Sequence, residues 1–151
     1  MADLVVLDCK GGCQLSRNDK LIDELDRKFA NYHNYNREIA IRKLELAERE
    51  IDENVGGGKS NIVGNPVESK VIKEQSDPYI LNRRLWKRAV EDTLEEQNSE
   101  VSKLIQLKYF GEDSWMDWRS FGVKHHYSTR TIYRIRQRVL LEFGRKIGEY
   151  R

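Results

Sequence analysis

Apolar residues recur every three or four positions over residues 16–31, 37–54 and 78–97, which is the spacing of one face of an amphipathic α-helix. The polar and aromatic residues 31–36 interrupt the first two patterns and predict an inter-helix turn whose tyrosines pack against the helices. Asp77-Pro78 opens the third pattern with a favourable cap and a proline suited to the first helical position. The pattern therefore predicts an all-α protein.

The same pattern divides the chain into segments. We expect an N-terminal arm over residues 1–14, a helical hairpin over 15–54, a flexible linker over 55–77 and a C-terminal helical domain over 78–151. The apolar stripe of the hairpin can be covered in two ways. A second copy of the chain would cover it in a dimer, or the helix that contains Trp86 would cover it within one chain, and both remain open.

Composition agrees with helices around thin cores, because only 38% of the 151 residues are hydrophobic and 34% are charged. No apolar run approaches the ~20 residues that a membrane span needs. The N-terminus also lacks a basic region followed by a long apolar stretch, which a secretory signal would have. We therefore expect a cytoplasmic protein with no membrane partner.

Charge is distributed unevenly along the chain. Residues 115–151 hold nine Lys and Arg against three Asp and Glu, a net charge of +6, whereas residues 1–114 hold 18 basic and 22 acidic side chains, a net charge of −4. A basic segment on an acidic body indicates a polyanionic partner that binds one part of the molecule.

A nucleotide-binding loop is one alternative for the glycine-rich segment. Gly58-Lys59-Ser60 matches the end of a phosphate-binding P-loop motif. The first glycine of that motif would however fall at Glu53, where a carboxylate would repel the phosphate, and no predicted strand precedes it. A flexible linker is the favoured interpretation.

A zinc site is the alternative for the two cysteines. Cys9 and Cys13 could supply two ligands, and His33 or the pair His125-His126 could complete the site. These histidines lie far away in the sequence and there is no second cysteine pair, so we expect no metal. The acidic residues are scattered along charged helix faces, and we expect neither a cofactor nor enzymatic activity.

Three further helices are predicted in the last third of the chain. Ser99 is expected to cap the first, which ends at Phe110-Gly111. Residues 112–114 are expected to cap a second helix of about ten residues. The second helix is expected to carry Trp115, Trp118, Phe121 and Gly122. Ser128 is expected to cap a long final helix.

This succession of helices, at about residues 115–149, has the form of a helix-turn-helix. A short helix meets a longer one across a brief turn, and a small residue is needed where the two backbones approach. Gly122 meets that need, Tyr127 is placed to fill the core behind the turn, and Ser128 is placed to cap the recognition helix.

The outer face of the final helix carries the chemistry that recognises duplex DNA. Arginine can bind guanine through two hydrogen bonds, glutamine can bind adenine, and threonine can contact a thymine methyl group or a phosphate. The side chains that we expect to contact DNA are Lys124, Ser128, Thr129, Arg130, Thr131, Tyr133, Arg134, Gln137 and Arg138. A surface that is merely solvated is the alternative for the same face.

The residues of this motif resemble a known family. The stretches from Trp118 to Gly122 and from Tyr127 to Arg134 are similar to the helix-turn-helix of sigma factor region 4, and more so to the RinA family of phage transcriptional activators, to which the ArpU-type phage regulators are related. The N-terminal segment around Leu21 to Leu25 and the Tyr32 to Tyr35 turn also resemble that family. The chain departs from it at His126, where relatives often have glycine.

The resemblance implies a regulator of bacteriophage late, packaging and morphogenesis genes that acts in the bacterial host cell. Host RNA polymerase is the partner that this setting implies. Double-stranded DNA and a second copy of the chain are expected from the helix-turn-helix itself, since two half-sites recruit a dimer. A DNA-binding packaging component of the small-terminase type is the alternative. The number of subunits separates the two, because such packaging proteins usually form large rings.

Overall fold

The computed structural model describes residues 17–52 and 66–150, and every regular element within those ranges is helical, which confirms the all-α class. In chain order the elements are α1 (Arg17–Ala30), a 3-10 turn (Asn31–Asn34), α2 (Tyr35–Asp52), α3 (Pro66–Ser76), α4 (Pro78–Glu96), α5 (Ser99–Phe110), α6 (Trp118–Lys124) and α7 (Thr129–Lys146). The predicted arm, with Cys9 and Cys13, lies outside the described residues. None of the described helices is long and apolar enough to cross a membrane.

Polar side chains cap the starts of α4 and α5. Asp77 caps α4 by accepting a hydrogen bond from the N–H of Ile80 at 3.1 Å, and Pro78 takes the first helical position, as the sequence predicts. The cap of α5 is Asn98, whose side chain accepts from the N–H of Val101 at 2.8 Å, so the prediction of Ser99 was one residue too late. Asn and Ser cap helices about equally well, and adjacent candidates are hard to separate by type alone.

The main core joins the N-terminal helix to the C-terminal helices. Leu25 and Phe29 of α1 are fully buried, and the ring of Phe29 meets that of Phe143 of α7 edge to face at a centroid distance of 5.4 Å. A Cβ atom on Gly144 would lie 2.9 Å from a methyl group of Leu25, so α1 and α7 approach closely there. Buried side chains of α4, α5 and α6 complete the same core.

The arrangement of α1 and α2 differs from the predicted hairpin. The 3-10 turn at residues 31–34 joins the two helices, but α1 and α2 make few contacts with each other, whereas an antiparallel hairpin would pack them side by side. Instead, α1 packs mainly against α7, and α2 packs mainly against α4. Tyr35 is fully buried, 5.9 Å from the ring of Trp86. Contact with the Trp86 helix within the chain, one of the two arrangements left open, is therefore present.

Part of the predicted linker is helical. Residues 66–76 form α3, which contacts α2 and α4, whereas residues 53–65 lie outside the described residues. Lys43 of α2 and Glu74 of α3 form an ion pair at 2.8 Å. The polar composition of this segment indicated flexibility, but Pro66 starts the helix and a contact with two neighbouring helices stabilises it.

Candidate nucleic-acid interface

The helices α6 and α7 meet across a turn formed by residues 125–128, in the segment for which the sequence predicts a helix-turn-helix. Gly122 is buried where the two helices are closest. A Cβ atom there would lie 2.9 Å from Cγ2 of Ile132 and 3.4 Å from the carbonyl oxygen of Tyr127. The contact therefore requires glycine, which confirms the need for a small residue at position 122.

The turn keeps a left-handed residue although it contains no glycine. His126 has a φ of 62°, and its N–H donates a hydrogen bond to the carbonyl oxygen of Val123 at 3.2 Å. The N–H of Tyr127 donates to the carbonyl oxygen of Gly122 at 2.8 Å. Histidine tolerates this region better than most residues with a side chain, yet less well than glycine. The turn therefore forms with histidine at position 126, but the backbone at this residue is strained.

The beginning of α6 differs from the prediction. Asp117 caps this helix, since its carboxylate accepts hydrogen bonds from the N–H groups of Arg119 and Ser120 at 3.0 and 3.1 Å. The helix therefore has seven residues, and residues 112–114 lie in the preceding loop rather than at its cap. Trp115 also lies in that loop and is 81% exposed, whereas Trp118 is 8% exposed and belongs to the core.

Asp113 connects this loop to the end of α6 and to the turn that follows it. Its carboxylate, only 7% exposed, binds Nζ of Lys124 at 2.5 Å and Nε2 of His125 at 2.8 Å. The hydrogen bond from Lys124, followed by that from His125, lowers the pKa of Asp113 below its usual value. Lys124, one of the expected DNA contacts, is 54% exposed, but its charge is partly neutralised by Asp113.

Ser128 caps α7, as the sequence predicts. Its Oγ accepts a hydrogen bond from the N–H of Thr131 at 3.2 Å and lies 2.8 Å from Oγ1 of Thr131. Both residues are exposed. The first turn of α7 is thus fixed in place while its hydroxyl groups remain accessible to a partner.

All nine side chains expected to contact DNA are exposed. Three of them, Arg130, Arg134 and Arg138, follow one another at intervals of four residues, and we call them the arginine row. Such spacing places them about 6 Å apart along the helix axis. Within the described part of the chain, none of the three has a hydrogen bond, an ion pair or a ring contact. The buried residues Ile132 and Val139 lie on the opposite side of α7.

Arg136 shows what a structural arginine on the same helix looks like. Its guanidinium lies 3.3 Å from Oδ1 of Asp23 and 3.4 Å from Oδ1 of Asp26, and both acids belong to α1. Burial opposes the charge of Arg136, but the neighbouring Asp26 outweighs it and raises the pKa of Arg136 above its usual value. This contact was not predicted from the sequence, although the spacing of Asp23 and Asp26 on one helix face was a signal for it.

A metal site has no support among residues 17–52 and 66–150, since no three His, Cys, Asp or Glu side chains lie close enough together there to hold an ion. His125, one of the histidines considered as a ligand, is bound to Asp113 and packs against the ring of Phe121 at 4.4 Å.

A family model described as "Protein of unknown function (DUF722)" matches residues 21–143, and the chain therefore belongs to that family. The match extends from α1 through the core to the second half of α7, so it includes α6, the turn and the arginine row. No curated protein and no solved structure is significantly similar to the chain.

Proposed function

We propose that this member of the DUF722 family is a sequence-specific DNA-binding transcriptional regulator, with α7 as the helix that enters the major groove. The observation that carries the proposal is the arginine row, three exposed guanidinium groups without partners among the described residues. An arginine that only stabilises the fold would be paired, as Arg136 is with Asp23 and Asp26.

The exposed side chains of α7 supply both kinds of contact that a DNA reader needs. Each member of the arginine row can donate two hydrogen bonds to O6 and N7 of a guanine, and Gln137 can pair with an adenine. Ser128, Thr131 and Tyr133 provide hydroxyl groups for phosphate oxygens, which fix the position of the helix without reading sequence. Thr129 at the first helical position has a methyl group that fits against a thymine methyl group.

We propose that the protein binds DNA as a homodimer. One helix-turn-helix covers one half-site, and two half-sites about one helical turn apart accommodate two copies of α7. On α2, Ile41 and Leu44 are 46% and 65% exposed, and a second copy would bury such apolar side chains.

The biological setting follows from the resemblance to the RinA family alone. On that basis we propose that the protein acts in the cytoplasm of a bacterial host, where it binds upstream of phage late genes and activates them together with host RNA polymerase. The competitor is a packaging protein of the small-terminase type, because such proteins also combine a helix-turn-helix with helical oligomerisation segments.

Footprinting across the late promoter region of the parent phage genome tests the proposal. We expect protection of a roughly palindromic site upstream of a promoter. Arg134→Ala should weaken binding to that site more than binding to random duplex. Arg145→Ala is the matched control on the same helix: this residue is exposed but lies beyond the groove-facing turns, so both affinities should fall equally or not at all.

Binding that never rises above the level seen with random duplex would contradict the proposal. Light scattering of the free protein then tests the competitor. A dimer is expected for the regulator, and a large ring would favour the packaging component.

A further inference from the structure

Trp115 is an exposed tryptophan whose indole is largely uncovered in the described part of the chain. It is 81% exposed, more than any other large apolar side chain among the described residues. Its indole has no hydrogen bond and no ring contact with any of them. Tryptophan is usually largely buried, with its N–H bound to an acceptor. An exposed indole therefore indicates a partner.

The backbone around Trp115 is held in a defined shape. The N–H of Ser114 donates to the carbonyl oxygen of Gly111 at 3.2 Å, and the N–H of Met116 donates to that of Asp113 at 3.1 Å. Because the carboxylate of Asp113 is bound to Lys124 and His125, the loop is also attached to the turn of the helix-turn-helix. The indole is thus exposed to solvent on a hydrogen-bonded loop that is attached to the end of α6.

The position of Trp115 next to the start of α6 favours the DNA backbone as its partner. It lies two residues before Asp117, the cap of α6, and in a helix-turn-helix the first helix crosses the sugar-phosphate backbone while the second enters the groove. Two nearby acids do not repel a phosphate strongly: Asp113 is paired with Lys124, and the Asp117 carboxylate binds backbone N–H groups. Glu112 is exposed, and the loop also has a cation beside it, since Nζ of Lys108 donates to the carbonyl oxygen of Ser114 at 3.3 Å.

We propose that Trp115 binds the sugar-phosphate backbone of the DNA that α7 reads. Its Nε1–H donates a hydrogen bond to a phosphate oxygen, and its ring covers the adjacent deoxyribose. This inference rests on the proposed function, and it adds a contact outside the predicted set of nine residues. Because phosphates and sugars are the same at every step of the duplex, the contact contributes to affinity and not to sequence choice.

Tryptophan fluorescence tests the contact directly. The chain has three tryptophans, and Trp118 is buried while Trp86 is half-buried on α4, so Trp115 dominates the emission that acrylamide quenches. We expect a short random-sequence duplex at low salt to protect this emission. In Trp115→Phe the remaining emission, from Trp86 and Trp118, should show the same quenching with and without DNA.

Affinity measurements give a second and independent readout. Trp115→Ala should weaken binding to random and to selected duplex by the same factor, about three- to tenfold. Trp115→Phe should lose less, since it keeps a ring. The slope of log affinity against log salt should stay unchanged, because no cation is removed. Leu85→Ala, which removes another exposed apolar side chain, is the matched control and should leave affinity unchanged.

The outcomes separate this inference from the proposed function. If the wild-type protein binds duplex but Trp115 stays fully quenchable in the complex, or Trp115→Ala binds as wild type does, the contact is refuted and the DNA-binding function stands. If the wild-type protein binds no duplex, both are refuted.

Discussion

Arg136 of α7 and Asp26 of α1 form an ion pair, with Nε and Oδ1 3.4 Å apart, on the side of α7 that faces the core. Tyr109 of α5 donates its hydroxyl hydrogen bond to the same carboxylate, so three helices meet at Asp26. The arginine row lies on the other side of α7, as the 3.6-residue period of the helix requires. One helix thus separates arginines that stabilise the fold from arginines that are free to bind a partner.

Replacing Arg136 tests that separation. Arg136→Ala should lower the free energy of unfolding by about 1–3 kcal/mol, because it leaves the partly buried Asp26 without its cation. Arg134→Ala, on the exposed side, should change it by less than about 0.5 kcal/mol. Urea unfolding followed by circular dichroism measures both. Equal effects of the two substitutions would contradict the assignment.

Gly122 should tolerate no side chain. Gly122→Ala places a Cβ atom 2.9 Å from Cγ2 of Ile132, and we expect a loss of about 1–3 kcal/mol in the free energy of unfolding. Val123→Ala, at a neighbouring exposed position, is the control and should have little effect. In the double variant with Ile132→Ala the losses should not add, since the clashing methyl group is gone. Full additivity would show that the contact is not what limits position 122.

At the left-handed residue in the turn, we predict a substitution that stabilises the protein. His126→Gly should raise the free energy of unfolding by about 0.5–1 kcal/mol, because glycine adopts a positive φ without the steric cost of a Cβ atom. His126→Val should be destabilising, as β-branched residues are least suited to this region. Thermal unfolding of the two variants measures the difference. A stability order with valine above glycine would contradict the left-handed conformation.

The pH dependence of stability should include a contribution from Asp113. Its pKa is below the usual 3.8 in the folded protein, so the stabilisation is present above that value and is lost as the pH falls through the lower, folded pKa. Asp113→Asn should be less stable than wild type near neutral pH, and the difference should shrink in acid below about pH 4. Urea unfolding over a pH series tests this, and a constant difference would refute it.

Salt titrations distinguish the cations of the candidate interface. On a random-sequence duplex, where no cognate guanine is present and the arginines contact phosphates, each substitution of the arginine row by alanine should reduce the slope of log affinity against log salt by about 0.9, the value for one phosphate contact on B-form DNA. Lys124→Ala should reduce it less, because Asp113 already partly neutralises Lys124. Binding to a fixed duplex at several salt concentrations measures each slope. If Lys124→Ala instead reduces the slope by about 0.9, Lys124 leaves Asp113 when DNA binds.

The features that sequence predicted well depend on local chemistry. Ser128 as a cap, Asp77-Pro78 at the start of α4 and Gly122 at the helix contact are each dictated by residues a few positions away. The exposed face of α7 follows from its period alone. These local rules predicted the all-α class and most helix positions.

What sequence missed depends on contacts between distant segments. A 3-10 turn and a reversing turn use similar residues. The local sequence therefore could not show that α1 and α2 are joined by a 3-10 turn and do not form a hairpin. The pairing of Arg136 with Asp26 joins residues 110 positions apart. Trp115 is exposed because Asp117, and not residues 112–114, caps α6. The tryptophan therefore lies outside the helix.

The packing of α1 on α7 determines how early the chain can complete its hydrophobic core during synthesis on the ribosome. Leu25 and Phe29 are synthesised early, yet the surfaces that bury them, at Gly144 and Phe143, emerge more than a hundred residues later. Contacts so distant in sequence form late and slow the acquisition of the native state. A nascent chain therefore cannot complete this core, nor hold its recognition helix in place, until α7 has left the exit tunnel. By the same reasoning, α6 and α7 excised as a fragment would lack the surface that orients them.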